Sequence, residues 1–179
     1  MYRITATAQR WSILLLLTLV TIQLYAVPVQ VMYEQLQQLN GTELIDGSNI
    51  RIRKYNRTLS VMNGTFDLFR NVDNNFSFTF RLAYSALGNN QFVQSPVRLP
   101  MQRMCHFLNT TYSDYWHFYA NVTNFPAVGE CPVQAKRYYV RDKTLDSTLF
   151  LQDYLKSGLW KITMLVYEQE VKVPVAVGI

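Results

Sequence analysis

Residues 75–86 read NFSFTFRLAYSA. Phe76, Phe78, Phe80, Leu82 and Tyr84 alternate with Ser77, Thr79, Arg81 and Ala83. A period of two belongs to a β-strand, with one bulky face to bury and one polar face to leave wet. Such a face needs a second layer to cover it, so this stretch sets a layered β fold as the expectation.

The neighbouring segments agree. Residues 49–55 alternate Ile50 and Ile52 against Arg51 and Arg53. Residues 58–69 are β-like but interrupted by Asn63-Gly64, which reads as a tight hairpin turn or a bulge. Residues 91–99 form a weaker strand in which Pro96 favours an edge. Strands are also predicted over 136–141 and 159–167, with a short edge strand over 171–177. One region departs from period two. Met104, Phe107, Leu108, Tyr112, Tyr115, Trp116 and Tyr119 fall at spacings of three and four, a helical stripe. Pro126 and Gly129 are expected to end that element. The fold is therefore read as mainly β, an antiparallel sandwich with one helical insert around residues 101–122.

The start of the chain is a separate object. Arg3 and Arg10 precede the uncharged run Trp11–Leu24, and Leu24-Tyr25-Ala26 offers a cleavage site. These are the parts of a secretory signal over residues 1–26. The run is shorter than the roughly 20 residues that span a bilayer, although an uncleaved anchor is the competing reading. Cleavage would leave 27–179 as one domain and lower the net charge from +5 to +3. That charge makes no case for nucleic acid, and no later segment is apolar enough to span a membrane.

Six Asn-X-Ser/Thr sites, at Asn40, Asn56, Asn63, Asn75, Asn109 and Asn121, follow the signal. Together they predict a secreted, extracellular glycoprotein. Cys105 and Cys131 are the two cysteines. In an oxidising compartment they most simply form one disulfide, with a reactive thiol or an intermolecular bridge as alternatives.

Catalytic patterns are missing. The sequence contains no Gly-x-Ser-x-Gly, no His-Glu-x-x-His and no phosphate-loop glycine pattern. His106 and His117 stand eleven residues apart, three helical turns, with Asp114 near them on the wheel. They read as solvated surface histidines rather than a metal site. Arg51, Arg53, Lys54 and Arg57 form a basic cluster; a wet strand face explains it better than an anion site, the more so beside the Asn56 sequon. No cofactor, metal or catalytic activity is expected. The aromatic content, 14% of the chain, is the informative excess. A strand of alternating Phe either fills a dry core or lines an apolar cavity between two sheets.

Four pieces of sequence resemble a large insect family of small secreted proteins of unknown function, whose best-known members are the chemosensory CheB proteins. They are Lys54-Tyr55-Asn56-Arg57-Thr58 through Val61-Met62-Asn63-Gly64-Thr65-Phe66; Cys105-His106-Phe107-Leu108; Cys131-Pro132 after Asn124; and Gly158-Leu159-Trp160-Lys161. In two respects the chain departs from that pattern. It lacks the further cysteines that many relatives carry near the mature N-terminus, and Ser157 stands where a Pro is common. The family is similar to the ML lipid-recognition fold of the ganglioside-activator protein, an immunoglobulin-like sandwich whose sheets splay to admit a lipid. The resemblance implies a hydrophobic ligand, a lipid or a cuticular-hydrocarbon-like molecule, and for some relatives a role in sensing contact pheromones; a receptor partner is left open. It implies no catalysis. Inward parity on this fold nominates Phe78, Phe80, Leu82, Phe107, Trp116, Ile162 and Met164 as ligand-lining. The alternative is an extracellular protein-interaction module with a filled core. A secreted hydrolase is a distant third.

Overall fold

In the computed structural model, residues 30–149, 156–169, 174 and 176–178 are described. The predicted signal, 1–26, and most of the predicted strand over 171–177 lie outside them. Two antiparallel sheets build the fold. The larger contains β1 (Gln38–Asn40), β10 (Ala176–Gly178), β9 (Leu159–Glu168), β5 (Phe76–Ser85) and β6 (Val93–Arg98) in that order, with β7 (Gln102–Arg103) also pairing β5. The smaller orders β2 (Ile45–Asp46), β4 (Ser60–Leu68) and β3 (Arg51–Lys54), with β8 (Arg137–Thr144) pairing β4. This is the mainly β, antiparallel sandwich that the alternating strands predict.

The Phe strand is central, paired along its length with β9: Phe78 opposite Val166, Phe80 opposite Met164 and Leu82 opposite Ile162. β6 is an edge, as Pro96 suggests. The last strand is not an edge, contrary to expectation. β10 sits between β9 and β1, because residues 38–40, which lack any alternation to betray them, form the true edge.

Asn63-Gly64 is a bulge and not a hairpin turn, since β4 runs through it and its register against β8 shifts between Met62 and Gly64. Asn63 Nδ2 donates to Asp142 Oδ1 at 2.9 Å, and the Asp142 N–H donates back to Asn63 Oδ1 at 2.8 Å. Gly64 has φ +137°, and a Cβ there would meet Asn49 O and stand 2.8 Å from Ile50 Cα. Only glycine permits that backbone approach.

The helical insert is broken. α1 (Met104–Asn109) and α2 (Thr111–Tyr115) are separated by Thr110, and a 3₁₀ turn over Trp116–Phe118 follows. In a continuous helix the Leu108 carbonyl would accept the Tyr112 N–H. Here it accepts the Gly129 N–H at 3.1 Å, from the loop that the Cys105–Cys131 disulfide ties to α1. The stripe still faces inward: Leu108 and Tyr112 are buried, and Met104, Phe107, Trp116 and Tyr119 pack on the core. Tyr115 is the exception and is exposed.

The core occupies one end of the sandwich. Leu68 at the end of β4, Tyr138 at the start of β8, Phe76 and Phe78 at the start of β5 and Val166 late in β9 are all buried there. The opposite strand ends, carrying Met62 and Lys143 on one sheet and Leu82 and Ile162 on the other, therefore share the far end of the sandwich.

Candidate functional site

The seven residues nominated as ligand-lining divide into two groups. Phe78 is buried, with its ring edge-on to Phe107 at 4.5 Å and to Phe80 at 5.7 Å. Phe80, Phe107, Trp116 and Met164 pack on the same core, and Trp116 reaches it through Tyr112 at 5.5 Å. These five fill space. Aromatic pairs at such distances and tilts contribute to packing beyond their buried area.

Leu82 and Ile162 stand apart from them. They are directly paired across β5 and β9. Ile162 lies on the same sheet face as Phe78 and Met164, yet it is 39% exposed. Beyond it, the Tyr84 and Trp160 rings meet at 4.9 Å. Tyr84 Oη donates to Ser157 O at 2.6 Å, and Trp160 Nε1 donates to Lys156 O at 3.1 Å. Two rings are thus held by backbone carbonyls at the rim. On the other sheet, Ile52 pairs with Met62, both half-buried, and Met62 pairs with Lys143. The two sheets enclose a tight core at one end and present aliphatic side chains at the other.

Lys143 is the residue that sequence reasoning missed. Simple alternation from the buried Tyr138 would put Lys143 outside, and the predicted strand stopped at Arg141. The bulge at Asp142, φ 47°, reverses the parity and turns Lys143 inward. It is 4% exposed, with its Nζ 4.8 Å from the Tyr119 ring and 5.6 Å from that of Phe118. Burial pushes its pKa below the usual lysine range, against the raising influence of Asp146. Tyrosine hydroxyls cluster nearby. Tyr33 and Tyr112 are both pushed well up, first by burial and then by Tyr119, which is itself raised by burial and by Tyr115. Tyr112 Oη is buried without a hydrogen-bond partner among the described residues.

The remaining candidates are dispersed. His106 and His117 are both exposed, and the break at Thr110 takes them off any common helical face. His117 instead lies against the Phe118 ring at 3.9 Å. Among the described residues no group of His, Cys, Asp and Glu could hold a metal, and no helix is long and apolar enough to cross a membrane. In the basic cluster, Lys54 pairs with Glu34 at 3.1 Å and Arg51 bonds the carbonyls of Ser48 and Ile50. Asn40, Asn56, Asn75, Asn109 and Asn121 are exposed; Asn63 is half-buried, with its Nδ2 engaged by Asp142. Two grooves open on the outer face of the larger sheet. One, of about 360 Å³, includes Ser77, Arg103 and Tyr167, and the other, of about 320 Å³, includes Arg81, Phe92 and Lys161. None of the seven nominated residues lines either groove.

No curated protein matches the chain. Three of the four motif pieces fall within one matched segment, and the piece at residues 54–66 falls outside it. Residues 75–162, from the Phe strand through the disulfide-tied insert to the start of β9, match the family model described as a protein of unknown function (DUF1091).

Proposed function

We propose that this chain is a secreted glycoprotein that binds an apolar small molecule or lipid at the open end of its sandwich. One observation carries the reading: Ile162, on the core-facing side of β9 and two residues beyond its last described pairing with β10, is 39% exposed. A filled sandwich would cover that position with the opposing sheet. With its paired neighbour Leu82, Ile162 offers an aliphatic surface whose burial by a ligand releases about 25 cal/mol per Å², before the costs of association. The resemblance to CheB-like proteins favours a chemosensory role in which the ligand is a contact cue. The reading is of binding and not of catalysis.

A second reading rests on a different surface. Leu87 and Val93 are 82% and 73% exposed at the β5–β6 end of the sheet, and Val97 is exposed along the β6 edge. No sequon falls among them, so an apolar sheet edge is left for a protein partner.

Native mass spectrometry of the protein secreted from insect cells and enzymatically deglycosylated distinguishes the two. A stoichiometric lipid or hydrocarbon, lost in Ile162→Asp, is expected for a carrier. A clean apo mass after incubation with mixed lipids would overturn that reading in favour of the interaction module.

A further inference from the structure

Lys143 is a poor choice for packing alone. An ammonium removed from water is costly unless it is paired. Among the described residues no carboxylate forms an ion pair with it. Asp146 influences it electrostatically, but that carboxylate accepts from the Thr148 N–H at 2.8 Å and Oγ1 at 2.7 Å instead. The faces of Tyr119 and Phe118 return only part of the lost hydration. Beside Tyr119, at 6.3 Å between ring centroids, Tyr112 keeps a buried hydroxyl that has no hydrogen-bond partner among the described residues. Lys143 thus faces inward from the strand ends of the smaller sheet, at the end of the sandwich whose other sheet bears Leu82 and Ile162. The missing component is an acceptor with a negative charge.

We propose that Lys143 anchors the carboxylate of a monoanionic amphiphile, such as a long-chain fatty acid, whose hydrocarbon tail lies along Leu82 and Ile162. This deepens the carrier reading and rests on it. A single inward ammonium in the field of Asp146 matches one negative charge. An alcohol or hydrocarbon of equal length would fill the apolar surface and leave the cation unpaired.

The test compares oleate with oleyl alcohol, by native mass spectrometry and calorimetric titration of the deglycosylated protein. Oleate should bind the wild type at least about tenfold more tightly than the alcohol, as one charge-assisted hydrogen bond requires. Lys143→Met, which keeps side-chain volume, should abolish that preference while the alcohol binds as before. Equal binding of the two ligands to the wild type, or a preference that survives Lys143→Met, would overturn the head-group assignment and leave the carrier reading standing. Failure of both ligands to bind would bring down the two together. The wild-type comparison needs no variant, so it remains decisive if Lys143→Met does not fold.

Discussion

The two ends of this sandwich are built from the same four strands and are packed differently. At one end Phe78, Leu108, Tyr112 and Tyr138 fill the space between the sheets, with Phe66 stacked on Tyr138 at 5.2 Å. At the other, the same faces carry Leu82 and Ile162, and Ile162 meets solvent. The difference follows from the insert. α1 and α2 bring Phe107, Leu108 and Tyr112 over the first half of β5, and the disulfide at Cys105–Cys131 holds them there. One end of the molecule is thus a filled core, and at the other Ile162 stays in contact with solvent.

The sharpest way to break this contrast is at its filled end. Phe78→Ala should cost about 3–5 kcal/mol by leaving a cavity among rings that cannot collapse, read as a large fall in the midpoint of denaturant unfolding. A small loss would mean that the core is not where the burial pattern places it. The disulfide comes next, if its loop is closed in the unfolded chain as well. Replacing Cys105 and Cys131 by serine should cost about 3.5 kcal/mol in the chain-entropy model for the 26-residue separation, measurable by the same titration. Hydrogen exchange should show α1 and the 127–133 loop opening first.

Gly64→Ala probes the open end's other wall. The substitution forces a Cβ against the Asn49 and Ile50 backbone just before β3, at a positive φ, and should cost more than about 1 kcal/mol. Ile162→Ala should sharpen the contrast from the other side. With its side chain 39% exposed, truncation should change stability by less than about 1 kcal/mol while weakening any bound apolar ligand. A loss as large as that of Phe78→Ala would show that both ends are core.

The smallest effect is a titration. Burial lowers the Lys143 pKa, so the unfolded chain holds that proton to higher pH than the folded one. Between the two pKa values unfolding takes up a proton, and stability rises with pH across that window, just below the ordinary lysine value. The melting temperature of the wild type should therefore gain on that of Lys143→Met as pH climbs through it. A constant difference would place Lys143 in water.

Much of the fold was legible in local pattern. Alternation in residues 75–86 set the central strand and its inward face, and Pro96 marked an edge. The spacing of Met104 to Tyr119 told which side of the insert packs. The candidate site was legible only in part. Parity found Leu82 and Ile162 but grouped them with five residues that fill the core, because alternation reports a face and not the distance to the sheet opposite. Lys143 was invisible, since one bulge residue reverses every side chain beyond it and nothing in a Lys-Thr dipeptide announces that.

The sequence by itself determined the long central strands, their buried faces and the inward side of the insert, because these depend on spacing along a chain whose periods are two and 3.6. Tertiary structure decided the rest. The Gly129 amide took the Leu108 carbonyl and broke the helix, the Asn63–Asp142 bulge turned a lysine inward, and the short β1 displaced β10 from the edge. Each depends on a partner distant in sequence, and hydrogen bonds between such partners leave no periodic trace in either segment.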